Sequence, residues 1–282
     1  MSERTASDPP ISSRWRRESG VFAHYTFRPM SDHEHAIEQE NAAAIAEASP
    51  EPSASDADIA PLEEPEPTSA RRRYLIAEFI ILFGGGPLLH YFDLVPLHAF
   101  LGLYFFTILC VTLLLFDRTF DRSRFLRIRG TWPHIRAATL LFLPLAAVLT
   151  AALMIFEPER LFSLIRSRPD IWLMVMCLYP ILSVYPQELI YRTFLFHRYR
   201  HIFTRPWVMI TASALSFGYM HILFHHWVSV ALTIIGGYLF AWTYHRSQST
   251  FAAWVEHALW GCFIFTIGLG WYFFAGRDPL PG

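Results

Sequence analysis

Residues 97–116 read LHAFLGLYFFTILCVTLLLF, twenty positions without an acid or an arginine. A helix of that length rises about 30 Å, the thickness of a bilayer's hydrocarbon core. Comparable apolar runs lie near 74–92, 136–156, 171–196, 207–224, 227–244 and 251–275. None alternates as a barrel strand would, and all are too long for one. The expected fold is an all-α polytopic helical membrane bundle. Seven spans is the count, with six or eight left open because the first runs are weakly separated.

Composition agrees and locates the exception. Of 282 residues 53% are hydrophobic and 17% charged, whereas soluble domains run near a quarter charged. Residues 1–73 carry 14 of the 24 acids and 8 of the 23 basic residues, all arginines. The chain therefore divides into a cytoplasmic tail and linker, 1–73, and a transmembrane domain, 74–282. Within the tail, 49–70 is rich in Pro, Ser, Ala and acid, and buries too little apolar area to offset its ordering entropy, so disorder is expected. A short Ala/Glu helix is expected over 36–48, and the Trp15–Arg28 patch reads as solvated tail. Arg14, Arg16, Arg17 and Glu18 interrupt any signal-peptide core, so a cleavable signal is not expected. A net charge of -1 gives no reason to expect nucleic acid as partner. Cys110, Cys177 and Cys262 sit in apolar runs without C-x-x-C spacing and read as packing residues.

Arginine placement suggests an orientation. With the tail inside, the inner connections hold Arg71–73, Arg118, Arg122, Arg124, Arg127, Arg129, Arg136, Arg198, Arg200, Arg205 and Arg246. The outer ones hold Arg160, Arg166, Arg168 and Arg277, with Glu157, Glu159 and Asp170 partly offsetting them. The expectation is an integral protein of the cell inner membrane with its N-terminus in the cytoplasm, its first partner being the lipid bilayer.

Ionisable side chains inside spans are costly, about 2.5–3.5 kcal/mol each on insertion scales, and so must be paired, watered or functional. The fourth span carries Gln187, Glu188 and Arg192; the fifth carries His221, with His225 and His226 at its end; the seventh carries Glu256 and His257. Glu188 and Arg192 are four apart, on one helical face, and can pair within the helix. Pro180 and Pro186 predict a helix broken or kinked between them, its polar face opening a new half at Pro186. A carboxylate, an arginine and two histidines from three helices can hold and deprotonate a water for attack on a carbonyl, with or without a metal.

The same residues, in order, resemble the CPBP family of intramembrane proteases, the CAAX prenyl protease and bacteriocin-processing group. That family is marked by E-E-x-x-x-R, F-x-x-x-H and H-x-x-x-N on three helices. Here the motifs read Gln187-Glu188-Leu189-Ile190-Tyr191-Arg192, Phe217-Gly218-Tyr219-Met220-His221 and His257-Ala258-Leu259-Trp260-Gly261, covering about 170–265. Two positions depart. Gln187 stands where the family has its first glutamate, and an amide cannot take water's proton. Gly261 stands where the family has Asn, a donor to a developing oxyanion.

The resemblance implies an endopeptidase cutting a membrane-associated peptide or lipid-modified protein. Glu188 with His221 would activate water, Gln187 would help position it, and His257 would stabilise the oxyanion or bind metal. Arg192 would hold the carboxylate, and Phe217 supports the second motif. Glu256 is an alternative source of the missing carboxylate. A divalent metal such as zinc is left open. The competing readings are a catalytically inactive relative that binds or escorts a membrane partner and, with no internal repeat visible, a proton-relay transporter.

Overall fold

The computed structural model describes residues 68–94 and 98–273. The tail features expected at Trp15–Arg28, 36–48 and 49–67, and Arg277, lie outside the described residues. Among the described residues seven helices are long and apolar enough to cross a membrane. They are α1 (Ser69–Tyr91), α2 (Ala99–Phe116), α3 (Trp132–Phe156), α4 (Pro169–Arg198), α5 (Pro206–Phe224), α6 (Trp227–Ser247) and α7 (Thr250–Ile267). The protein is an all-α polytopic membrane bundle.

Two helix ends differ from the sequence expectation, each for a local reason. α1 starts at Ser69, because Thr68 caps it by accepting the Arg71 N–H at 3.3 Å. Arg71–73 thus ride exposed on the first turns, ahead of the apolar run. α7 stops at Ile267, well short of 275, where Gly268 takes φ +110°. A side chain there would also collide with the Arg160 carbonyl. The chain then folds into a tight turn, Leu269–Phe273, whose Tyr272 hydroxyl donates to Glu157 at 2.6 Å.

The larger difference is α4. It is neither broken nor restarted at Pro186; it runs unbroken for 30 residues through two widened π turns, Pro180–Val184 and Leu189–Phe194. Such turns leave backbone acceptors short of donors, and neighbouring helices supply them. Pro186 has no N–H for the Leu182 carbonyl, which accepts the Tyr104 hydroxyl of α2 at 2.9 Å. The Pro180 carbonyl, which already accepts the Tyr185 N–H, also accepts the Trp254 indole N–H of α7 at 2.6 Å. In the second turn the Leu195 N–H reaches back to Ile190 and not Tyr191, whose carbonyl accepts the buried Ser213 hydroxyl of α5 at 2.7 Å.

α4 is the hub. α2 packs along its second half, α7 along its whole length, and α5 and α6 pair as an antiparallel hairpin beside it. Polar rungs fix the α4–α7 register: Trp172 to Thr266 at 3.0 Å, Glu188 to His257 at 2.8 Å, and Thr193 to Thr250 at 2.5 Å. Apolar side chains such as Phe105, Ile108, Leu140, Leu143 and Val148 face outward, where lipid would cover them.

At the end of the bundle where α2 and α4 finish, Arg198 makes a two-pronged bond to Glu78 at 2.8 and 2.7 Å, docking α1. His197 meets Asp117 at 3.0 Å. Burial pushes the Asp117 carboxyl up, but hydrogen bonds from Thr119 and His197 outweigh it and hold it down at about 2. Ser213→Ala would strand the Tyr191 carbonyl in the core and is expected to cost about 1–3 kcal/mol. Tyr104→Phe, at a more exposed carbonyl, is expected to cost less. Denaturation of the purified protein in detergent checks the ranking.

Candidate active site

The site is built on the second half of α4. Glu188 and Arg192 are both completely buried, with Arg192 Nε 3.3 Å from Glu188 Oε2. The other carboxylate oxygen, Oε1, faces His257 Nδ1 on α7 at 2.8 Å. A carboxylate only accepts, so His257 donates from Nδ1 and its neutral ring keeps a lone pair on Nε2. The expected residues Glu188, Arg192 and His257 are therefore brought into one connected unit.

Aromatic side chains enclose it. Phe240 of α6 stacks on the His257 ring, centroids 4.4 Å apart and planes 15° apart. Phe217 of α5 meets the same ring edge-on at 5.3 Å. The Arg192 guanidinium carbon lies 4.6 Å from the Phe217 centroid and 5.5 Å from that of Phe240. The cation is thus held between one carboxylate and two π faces.

His221 sits apart from this unit. It begins the tight turn His221–Phe224 at the end of α5, where its Nδ1 donates to the Phe217 carbonyl at 2.7 Å. Its ring lies 4.7 Å from the Phe217 ring, on which His257 also leans. Phe217 therefore bridges the two imidazoles, and among the described residues no hydrogen bond joins His221 to Glu188 or His257. Gln187 is half-buried and donates to Ser183 Oγ at 2.8 Å. His225 and His226 lie at the mouth of α5 and α6, against Tyr91 at 4.6 Å and Tyr272 at 4.3 Å.

Several buried polar atoms here make no hydrogen bond within the protein: Gln187 Oε1, Glu188 Oε2, Glu256 Oε2 and all three guanidinium nitrogens of Arg192, although Glu188 Oε2 and Arg192 Nε face each other as an ion pair. Buried polar atoms are almost always satisfied, so such a concentration marks a place made for other chemistry. Glu256 is buried beside His257 on α7, with the Thr243 hydroxyl as neighbour. The donor set does not fit a resident metal as arranged. Among the described residues no three His, Cys, Asp or Glu side chains come together as a ligand group. The facing atoms of Glu188 and His257 are committed to each other.

Two contributors escaped sequence reading. Phe240 carries no motif signal. Tyr179, on α4, lies with its hydroxyl 3.5 Å from His257 Nε2; Gly261, one turn beyond His257, was the visible sign that something else fills that space.

Fold and site together define a helical membrane protein with a buried carboxylate–histidine pair. Residues 169–263, about a third of the chain, match the family described as Type II CAAX prenyl endopeptidase Rce1-like. Over that stretch the chain is similar to this CPBP/Rce1-like family. Comparison with curated proteins and with solved structures found no match.

Breaking a buried pair from one side leaves an uncompensated charge. Arg192→Met is accordingly expected to destabilise the protein by about 3–5 kcal/mol. The double variant Glu188→Gln/Arg192→Met is expected to recover part of that loss. Equal stability of the single and double variants in a detergent unfolding series would show that the pair is not coupled.

Proposed function

We propose that the protein is an intramembrane endopeptidase hydrolysing a peptide bond of a lipid-modified or other membrane-associated substrate. The observation that carries this reading is the Glu188–His257 contact inside the family-matched segment. Glu188 fixes the ring through Nδ1 and stabilises its protonated form, which leaves Nε2 to take a proton from the attacking water. The protonated imidazole then hands that proton to the leaving amine. Arg192 holds the Glu188 carboxylate in place. Gln187 orients the water through its amide, and His221, across Phe217, is a second imidazole able to donate at the substrate end. The acceptors on Glu188, Glu256 and Gln187 that make no hydrogen bond within the protein are suited to holding water.

Turnover of a farnesylated peptide by purified protein tests the reading. Glu188→Ala and His257→Ala are each expected to lower kcat by at least 100-fold, and His221→Ala by less. Equal rates in wild type and all three variants would defeat the assignment.

A second reading, an inactive relative that binds or escorts a membrane partner, is favoured by Gln187. Its amide is bonded to Ser183 and cannot accept a proton. Gln187→Glu separates the two. Cleavage that appears only in that variant would make the natural protein a binder.

We further propose a cytoplasmic N-terminus at the inner membrane, from the excess of arginine in the connections on that side. A protease site placed at the N-terminus is expected to be cut in inverted vesicles and protected in spheroplasts. The reverse pattern would invert the topology.

A further inference from the structure

His257 uses Nδ1 on Glu188, so whatever faces Nε2 decides what happens at the reacting end of the ring. That neighbour is the Tyr179 hydroxyl, 3.5 Å away, reaching across from α4. The tyrosine is placed there by an absence on α7. Gly261 lies four residues after His257, on the same helical face. A Cβ built at 261 would come 2.5 Å from the Tyr179 hydroxyl oxygen and 2.7 Å from its Cζ. The ring occupies the volume that any side chain at 261 would need. Phe265, a further turn along α7, packs on the outer side of the ring at 5.2 Å and 65°, closing the slot. Tyr179 and Gly261 are thus one fitted pair: the small residue admits the ring, and the ring carries a donor to the histidine.

We infer that Tyr179 is a catalytic residue, its hydroxyl donating a hydrogen bond to the oxyanion that forms beside His257 Nε2. The inference rests on the hydrolytic reading above. At rest the hydroxyl lies against Nε2 at a long separation, which leaves room for both to turn to a substrate. As water attacks, its oxygen bonds to the carbonyl carbon, one of its protons passes to Nε2, and the C=O π electrons move onto oxygen. The Tyr179 O–H then donates to that oxygen and does not lose its proton. On collapse the C=O re-forms, the C–N bond breaks, and the imidazolium proton leaves with the amine. Donors aimed at a developing oxyanion contribute to kcat far more than to KM, typically 100- to 1,000-fold. They supply here, from α4, the hydrogen bond that a glycine at 261 cannot give from α7.

The test uses the full chain in detergent with a farnesylated peptide. Tyr179→Phe keeps the ring against Gly261 and removes only the hydroxyl, so the melting temperature is expected to stay unchanged. Its kcat is expected to fall about 100-fold or more, with KM within about threefold. Tyr179→Ala/Gly261→Asn places an amide donor on the opposite helix in the space vacated. It is expected to regain at least tenfold over Tyr179→Ala alone. Full activity in Tyr179→Phe, with Glu188→Ala and His257→Ala inert, would overturn the role of Tyr179 and leave the hydrolytic reading standing. A wild type that cleaves no faster than Glu188→Ala would overturn both. A loss in Tyr179→Phe confined to KM, with kcat kept, would make the hydroxyl a substrate-binding group and overturn its role at the oxyanion.

Discussion

An ion pair with no exposure at all, in the middle of a bundle covered by lipid-facing side chains, is the constraint from which the remaining features follow. Neither Glu188 nor Arg192 can reach water from a regular transmembrane helix without lining up with other polar groups. The bundle answers by surrounding the pair on three sides. α7 brings His257 to the carboxylate, and α5 and α6 bring Phe217 and Phe240 to the cation. Close packing of these four helices is the condition on which the charges are tolerated, since a gap on any side would expose a bare ion to hydrocarbon.

The seven spans were legible because length and hydropathy alone decide whether a helix crosses a bilayer. The order of Glu188, His221 and His257 was legible too, as ionisable residues in apolar company. What the sequence did not carry was the pairing between them. Glu188 meets His257 and not His221 because α7 runs the length of α4, whereas His221 falls beyond the last regular turn of α5, behind Phe217. The unbroken course of α4 was illegible for a related reason. Whether Pro186 breaks the helix depends on a donor from elsewhere, and Tyr104, on α2, supplies it at the Leu182 carbonyl. Tyr179 could be inferred only from a missing side chain at 261.

The arginine cluster of the α3–α4 connection is also clearer in three dimensions. Arg168 is bonded to Asp170, Arg166 to the Glu159 carbonyl, and Arg160 pairs with Glu157 while lying over the Tyr272 ring at 5.2 Å. Arg160 fastens the α3–α4 connection to the turn that follows α7, while Arg166 and Arg168 bond within or beside the connection. Arg160 and Arg168 each have a carboxylate beside them, so they weigh less in orientation than a count of arginines suggests.

The two π turns of α4 have a meaning in phase as well as in hydrogen bonding. Each is equivalent to one residue inserted into a regular helix, and one residue is about 100° of rotation. Counted from the entry of α4 at Pro169, the side chains past the second turn stand about 200° from where an uninterrupted helix would point them. Glu188 lies after the first insertion, and Arg192 lies within the second. The helix thus behaves as a shaft with two indexed joints. Loss of one residue within either turn can be absorbed by its return to a regular α turn, whereas a change that made a turn regular without removing a residue would rotate everything beyond it by about 100° and swing the polar face away from α7.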